Sequence, residues 1–258
     1  MNVFIPLFMY KIHPGYEEVN MKQYMYRSKI QYSFRRFIKC FPAVFNRIVK
    51  CGVFTYDLCA TYWKRESYIY SDADFVRNST LELCAREIRS KEIPGAVAEL
   101  GVFRGDYAKL INRAFPDRKL YLFDSFEGFH PDDVNVDEKI GNKREMDEFA
   151  DTSEDVVLKK MKYPENCIIK KGFFPDSYQG VEDKFAFVSI DFDLYKPIYD
   201  GLCIVWNNME KGGYIFIHDF NNPAYPGSKK AVLQFCEETG APYVPLSDTC
   251  GSAIIIKI

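Results

Sequence analysis

The regular alternation of short apolar segments with helical segments from residue 96 onward most constrains the fold of this chain. Strands that alternate with helices form a largely parallel sheet covered by helices on both faces, so we predict a doubly wound α/β fold. The last two apolar segments, 242–247 and 252–258, are close enough to form a C-terminal hairpin. The other predicted strands are 96–102, 119–125, 167–174, 185–192 and 212–220, and the predicted helices are 72–91, 105–115, 152–162, 195–210 and 227–239.

Charge is unevenly distributed along the 258 residues. The formal net charge is −2, but residues 1–50 hold nine Lys or Arg against two Glu, which is +7 and leaves −9 for the rest. We predict an N-terminal basic and aromatic helical extension over 1–70 and a globular domain over 71–258. Three roles stay open for the extension: a packing arm, a membrane-surface patch or a nucleic-acid patch. We favour the arm, because basic helices with aromatic anchors most often cover apolar surface, and we expect no nucleic-acid partner for a nearly neutral chain.

The cysteines and the N-terminus bear on cellular location. Eight cysteines are scattered through a chain of ordinary core composition without a CxxC pair, which favours reduced thiols over disulfides or zinc ribbons. The apolar run at the start is short and broken by Pro6, and it lacks the basic region and cleavage site of a signal peptide. We therefore expect a cytoplasmic protein without a transmembrane segment.

Polar residues and glycines lie at the C-terminal ends of the first two predicted strands. The first ends in ELGVFRGDY, with Glu99, Gly101 and Gly105, and the second places Asp124 about 20 residues later. Ligands of open α/β sheets bind beyond the carboxyl ends of the strands, where an acidic residue at this distance accepts hydrogen bonds from ribose hydroxyls. The glycine spacing is not the G-x-G-x-x-G of dinucleotide folds, and Glu99 favours a cationic ligand. A structural turn for the glycines and a helix cap for Asp124 are the alternatives.

Acidic residues also close the fourth and fifth predicted strands. The fourth ends in SIDFDLYKP, with Asp191 and Asp193, and the fifth ends in IFIHDF, with His218 and Asp219. Carboxylates that leave neighbouring parallel strands at one edge converge and repel unless a cation joins them, which predicts a divalent metal site. Imidazole suits Zn, Fe or Mn better than Mg²⁺. The alternatives are a core or cap role for His218 and an N-cap role for Asp193.

Two loops adjoin this region in the sequence. Residues 221–227 contain two prolines and a glycine, and we expect them to form a rigid wall of an acceptor pocket. Residues 126–151 are acidic and rich in turn formers, and we expect a structureless, mobile lid or substrate-facing insertion.

The motifs ELGVFRG, DSFEGF, KGFFPDS, IDFDLYKP and GGYIFIHDF together resemble the macrocin O-methyltransferase family over roughly residues 75–240. The resemblance implies a seven-stranded class I methyltransferase fold that uses S-adenosylmethionine and Mg²⁺ or another divalent metal to methylate a sugar hydroxyl. It also implies a homodimer to which the N-terminal extension contributes. The implied donor-binding residues are Glu99, Gly101, Gly105, Asp124, Ser125, Gly172 and Asp191, and the implied metal ligands are Asp191, His218 and Asp219.

Asp191 or His218 is the predicted proton acceptor. The family usually has paired Asp where this chain has His218 and Asp219, which motivates one alternative, a catalytically silent methyltransferase-like binding module. A second alternative is a catechol-type phenol O-methyltransferase, which uses a similar metal cage with a planar acceptor. An NAD oxidoreductase is the weakest, because the glycine spacing is wrong.

Overall fold

The computed structural model describes residues 74–258, with the exception of the Phe75 side chain. They form a seven-stranded sheet in the order β3-β2-β1-β4-β5-β7-β6, in which β7 runs antiparallel to both β5 and β6. This topology confirms the predicted fold class. The proposed extension over 1–70 and its helical character lie outside the described residues. The strands are β1 Ala96–Leu100, β2 Leu120–Asp124, β3 Cys167–Lys171, β4 Phe185–Ile190, β5 Met209–Ile217, β6 Tyr243–Pro245 and β7 Ala253–Ile256.

Helices cover both faces of the sheet. Adjacent residues of β1 belong to different buried clusters: Val97 packs in one with Ile88 and Ile111, and Ala98 packs in the other with Leu202. No helix within residues 74–258 is long and apolar enough to cross a membrane. The α-helices are α1 Phe75–Ser90, α2 Ala108–Ala114, α3 Pro131–Lys139, α4 Glu154–Leu158, α5 Tyr195–Asn208 and α6 Pro226–Thr239, and short 3-10 helices occupy Pro164–Asn166 and Asp176–Tyr178.

The predicted strand ends were too late for β1 and β4, and backbone conformation explains why. β1 ends at Leu100 because Gly101 has a φ of +83°, and a Cβ atom there would lie 2.1 Å from the carbonyl oxygen of Asp191. β4 ends at Ile190, and Asp193 soon after it has a φ of +63°. Only glycine fits the conformation and the close approach at position 101. The two strands therefore end side by side.

The prediction that residues 126–151 lack regular structure was wrong, because α3 lies within them. The Nδ1 atom of His130 caps the helix by accepting from the backbone N–H of Asp132, and Pro131 occupies the first turn. These are ordinary N-terminal signals, but the helix has no apolar stripe that would have revealed it. Its fully buried residue is instead Asp137, whose Oδ2 accepts from the backbone N–H of Tyr195 at 2.8 Å.

A second set of contacts joins the predicted insertion, residues 126–151, to the loop over 221–227. The guanidinium of Arg144 lies 4.1 Å from the ring centroid of Tyr225 and donates to the carbonyl oxygen of Ala224. Arg144 also donates to the side chain of Asn142, which itself donates to Asp137. The insertion is therefore anchored to α5 and to the predicted pocket wall, and its mobility stays a prediction.

Candidate active site

A cavity of about 400 Å³ lies at the carboxyl ends of the parallel strands. Every site residue that we predicted lines it except Gly105. A Cβ atom at Gly105 would lie 3.0 Å from Val157 and 3.3 Å from Met161, so this glycine packs against the α4 region, and its assignment to donor binding stays a prediction. The predicted residues in the lining are Glu99, Gly101, Asp124, Ser125, Gly172, Asp191, His218 and Asp219, and Asp193 joins them.

Glu99 presents a buried carboxyl group to this cavity. It lies in β1, is 2% exposed, and its Oε2 atom has no hydrogen-bond partner within the described part of the chain. Burial raises the pKa of Glu99 well above its usual range, the nearby Asp191 and Asp124 add to the increase, and Arg77 opposes it. A buried acceptor without a partner carries a desolvation cost that a ligand donor would remove. Glu99 is therefore a strong candidate ligand-binding group.

Asp124 organises the loops that follow β1 and β2. Its Oδ2 atom accepts from the backbone N–H groups of Val102 and Phe103 at 2.7 and 2.8 Å, and its Oδ1 atom accepts from Phe126 at 2.7 Å. The alternative that Asp124 caps a helix is wrong, because these N–H groups belong to loops. A carboxylate oxygen accepts about two hydrogen bonds. The Oδ1 atom therefore retains the capacity to accept one from a ligand hydroxyl.

Arg77, which the sequence analysis missed, reaches the cavity from α1. Its Nη2 atom lies 3.2 Å from Asp191 Oδ2 and 3.3 Å from Ser189 Oγ, and its guanidinium lies 3.7 Å from the ring centroid of Tyr107. Burial would raise the pKa of Asp191, but His218 and Arg77 outweigh it and lower that pKa. Asp191 is therefore an anion with a cation at each oxygen. An isolated arginine in a helix carries no local signal of such a contact.

His218 lies between two carboxylates. Its Nδ1 atom is 2.9 Å from Asp191 Oδ1 and 2.7 Å from Asp219 Oδ2. Burial lowers the pKa of His218, but the charge of Asp191 and the two hydrogen bonds outweigh it and raise the pKa to about 12. The structure thus places His218 in the polar lining of the cavity and not in the apolar core, the alternative left open by the sequence.

Asp193 belongs to the cavity and does not cap α5. The N-cap position of α5 is Leu194, without a side-chain bond, and the N–H of Tyr195 is satisfied by Asp137. Burial raises the pKa of Asp193 well above its usual range, and the charges of Asp191 and Asp219 raise it further. The N-cap alternative for Asp193 is therefore wrong.

Two groups of side chains at this end of the cavity have the proximity needed to hold a metal ion. Carboxylate oxygens of Asp191, Asp193 and Asp219 lie within 4.8 Å of one another, and so do ligand atoms of His218, Asp219 and Cys250. Cys250 lies between β6 and β7 and was not predicted; no residue near it in the sequence signals this position. Asp219 is common to both groups.

A sequence model of the family described as macrocin O-methyltransferase (TylF) matches residues 68–249. Demethyldecarbamoylnovobiocin O-methyltransferase of Streptomyces niveus is 27% identical over 156 residues, which are 56% of this chain and 60% of that protein. A Streptomyces olivaceus enzyme named 8-demethyl-8-(2,3-dimethoxy-alpha-L-rhamnosyl)-tetracenomycin-C 4'-O-methyltransferase is 26% identical over the same shares of the two chains. The matched region thus spans 60% of the length of these two relatives.

Solved structures show the same fold. The structure of the O-methyltransferase NovP superposes with a TM-score of 0.60 at 22% identity, covering 71% of this chain and 80% of that one. The fold likeness agrees with the seven-stranded topology, and the family match covers β1 to β6 and most of the cavity lining. The resemblance drawn from the motifs is confirmed, and the chain belongs to the macrocin O-methyltransferase family.

Proposed function

We propose that this chain is an S-adenosylmethionine-dependent O-methyltransferase that acts on a sugar hydroxyl with the help of a divalent cation. One observation carries the proposal: a single cavity holds the unpartnered carboxyl of Glu99 and the carboxylate group of Asp191, Asp193 and Asp219. Family membership supports the methyl donor. The rhamnosyl compound in the name of the S. olivaceus relative supports a sugar acceptor.

The donor half of the cavity lies beyond β1, β2 and β3. S-adenosylmethionine supplies an electrophilic methyl group together with an ammonium, a carboxylate and a ribose. The Oε2 atom of Glu99 is available to accept from an ammonium, and Asp124 Oδ1 can accept from a ribose hydroxyl. Gly101, Ser125 and Gly172 line the same half, and the two glycines allow a ligand to approach the backbone closely.

The other half of the cavity, which holds Asp191, Asp193 and Asp219, has ligands suited to a divalent ion. Carboxylate oxygens of three side chains lie within 4.8 Å of one another, and such oxygens are the ligands that Mg²⁺ prefers. We propose that Asp191, His218 and Asp219 hold the ion with Asp193 beside them. Such an ion supplies positive charge that lowers the pKa of a bound hydroxyl and orients it.

Proton removal from the acceptor falls to a side chain at this end. Asp191 was one predicted base, but both of its oxygens already accept from Arg77 and His218, which weakens it as a proton acceptor. His218, the other predicted base, and Asp193, which the structure adds, line the cavity too. We propose that Asp193 receives the proton, because Asp191 and Asp219 already hold His218 in its protonated form, whereas the raised pKa of Asp193 makes its carboxylate a stronger base than usual.

The direct test of the function is methyl transfer from labelled S-adenosylmethionine to a panel of glycosides with vicinal hydroxyls. We expect transfer to at least one neutral glycoside, its loss on treatment with EDTA, and recovery when a divalent ion is restored. Transfer that persists unchanged under chelation would contradict the metal role. Donor binding without transfer to any acceptor would support the silent binding module.

A phenol acceptor remains the second candidate because aromatic rings line the part of the cavity near the insertion. Phe149 contacts Phe103 and Phe129 edge to face, at centroid distances of 5.1 and 5.6 Å. Such rings would hold a planar acceptor as well as the apolar face of a sugar. Catechol therefore belongs in the same panel, and preferential transfer to catechol would favour this candidate.

Replacement of Glu99 by Gln tests the donor site. We expect Glu99→Gln to weaken binding of S-adenosylhomocysteine by about 10- to 100-fold, because a charge-assisted hydrogen bond contributes about 1.5–3 kcal/mol. Titration calorimetry measures the change. The exposed Glu127, outside the cavity lining, provides the matched control Glu127→Gln, which should bind with wild-type affinity. Equal affinities for the two variants would remove Glu99 from the donor site.

A further inference from the structure

The two candidate metal groups differ in chemistry although they share Asp219. One offers three carboxylate oxygens, from Asp191, Asp193 and Asp219, and the other offers nitrogen, oxygen and sulfur, from His218, Asp219 and Cys250. Oxygen ligands suit Mg²⁺, whereas thiolate and imidazole ligands select borderline or soft ions such as Zn²⁺. Catalytic zinc sites have three protein ligands and one open position, and their ligands are imidazole nitrogens, thiolate sulfurs and carboxylate oxygens.

Backbone contacts fix Cys250 beside the residues that follow β5. The N–H of Asn221 donates to the carbonyl oxygen of Gly251 at 2.9 Å. Gly251 has a φ of +63°, and a Cβ atom there would lie 2.6 Å from the Cβ atom of Asn221. The two loops therefore touch at the residues next to Asp219 and Cys250, and only glycine permits that approach. The position of the thiol is set by this contact.

The same loop is joined to the start of α1. The N–H of Thr249 donates to Asp74 Oδ2 at 3.1 Å, and the other oxygen of Asp74 accepts from the N–H of Arg77 at 3.1 Å. Inside the loop, the N–H of Ser252 donates to Asp248 Oδ1. Cys250 thus lies in a loop held at three points and is not a freely placed surface cysteine.

His218 directs its Nδ1 atom toward the carboxylates. Nδ1 lies 2.7 Å from Asp219 Oδ2 and 2.9 Å from Asp191 Oδ1. An ion held by the imidazole and Asp219 would take the place of the proton between them, because metal ligands must be deprotonated. His218 and Asp219 are therefore close enough to bind one ion together.

We propose that His218, Asp219 and Cys250 form a site for a borderline divalent transition metal such as Zn²⁺ or Co²⁺. The site adjoins the all-oxygen group and competes with it for Asp219. The inference rests on the proposed function for its catalytic meaning, since it names the class of ion that the active site takes. It predicts that this chain binds Mg²⁺ more weakly than Zn²⁺ or Co²⁺.

Cobalt provides a spectroscopic test that does not depend on activity. Metal-free protein titrated with Co²⁺ should bind one ion at this site and develop a near-ultraviolet charge-transfer band, which requires a thiolate ligand. Cys250→Ser should abolish the band and weaken Co²⁺ and Zn²⁺ binding by more than about 100-fold, because loss of an outer-shell partner alone costs about 10- to 100-fold and Cys250 is a direct ligand. His218→Asp should weaken Zn²⁺ binding and strengthen Mg²⁺ binding.

Cys236→Ser is the matched control, because Cys236 is a half-buried free thiol of α6 outside the cavity lining. It should retain the band. A second measurement uses the wild-type chain alone: Zn²⁺ should protect Cys250 from alkylation, as read by mass spectrometry, whereas Mg²⁺ should not. Co²⁺ binding without a charge-transfer band, or Cys250 alkylation that Zn²⁺ leaves unchanged, would overturn the inference.

These results separate the inference from the function. Methyl transfer supported by Mg²⁺ in a protein that shows no thiolate band would leave the function standing and remove the mixed-ligand site. A thiolate band in a protein that transfers no methyl group to any acceptor would keep the site and remove the function.

Discussion

Asp219→Asn is expected to lower kcat/KM for the accepted glycoside by about 10³-fold and to abolish tight binding of divalent ions. Asp219 is 3% exposed, it belongs to both candidate metal groups, and its two oxygens contact His218 and Asn222. Asparagine keeps the shape but removes the charge. Charge stabilisation by a bound ion is worth several kcal/mol, and each ~1.4 kcal/mol is a factor of ten in rate. Steady-state kinetics and metal titration measure the two effects.

A matched variant separates the charge of Asp219 from a general effect of removing a carboxylate. Asp117 is exposed and lies outside the cavity lining, so Asp117→Asn should keep wild-type kinetics. Both variants should bind S-adenosylhomocysteine as the wild type does, which would show that the fold and the donor half are intact. Full activity of Asp219→Asn would mean that neither metal group takes part in the reaction.

The strand-end residues of the site were predictable because the signal is local. Apolar segments of strand length mark where each strand ends, and parallel strands bring their carboxyl ends to one edge of the sheet. Asp191 and His218 could therefore be placed in one cavity although 26 residues separate them in the sequence. The family motifs added the expected class of ligand to this geometry, and the family itself is confirmed.

The remaining parts of the site could not be predicted, because their positions depend on contacts between distant segments. Arg77 reaches the cavity through the packing of α1, and Cys250 reaches it through the contact between Gly251 and Asn221. α3 escaped detection for a related reason. Its buried position belongs to a charged residue, Asp137, whose burial is stabilised by the N–H of Tyr195. Hydrophobic periodicity cannot reveal a helix whose key contact is polar.

The second large expected effect concerns stability. Arg77→Met should lower the free energy of unfolding by about 3 kcal/mol, the lower end of the range for breaking a buried ion pair, because His218 still faces the other oxygen of Asp191. Arg77 is 7% exposed, bonds Asp191 at 3.2 Å and lies over the Tyr107 ring. Methionine keeps much of the length and apolar contact of the side chain, so the loss of stability measures the contribution of the positive charge. Urea denaturation measures it.

Two further variants identify the source of that loss. Lys119→Met removes a cation of comparable length from an exposed pair with Asp183, and it should change the free energy of unfolding by less than about 1 kcal/mol. The double variant Arg77→Met with Asp191→Asn removes both charges. Its free energy of unfolding should therefore fall by less than that of Arg77→Met alone. The free energy of unfolding of the double variant could instead fall by the sum of the losses in Arg77→Met and Asp191→Asn. Arg77 would then stabilise the domain through packing on Tyr107 and not through Asp191. In that case the charge at the end of β4 is compensated by His218 alone, and Arg77→Met should leave binding of divalent ions unchanged.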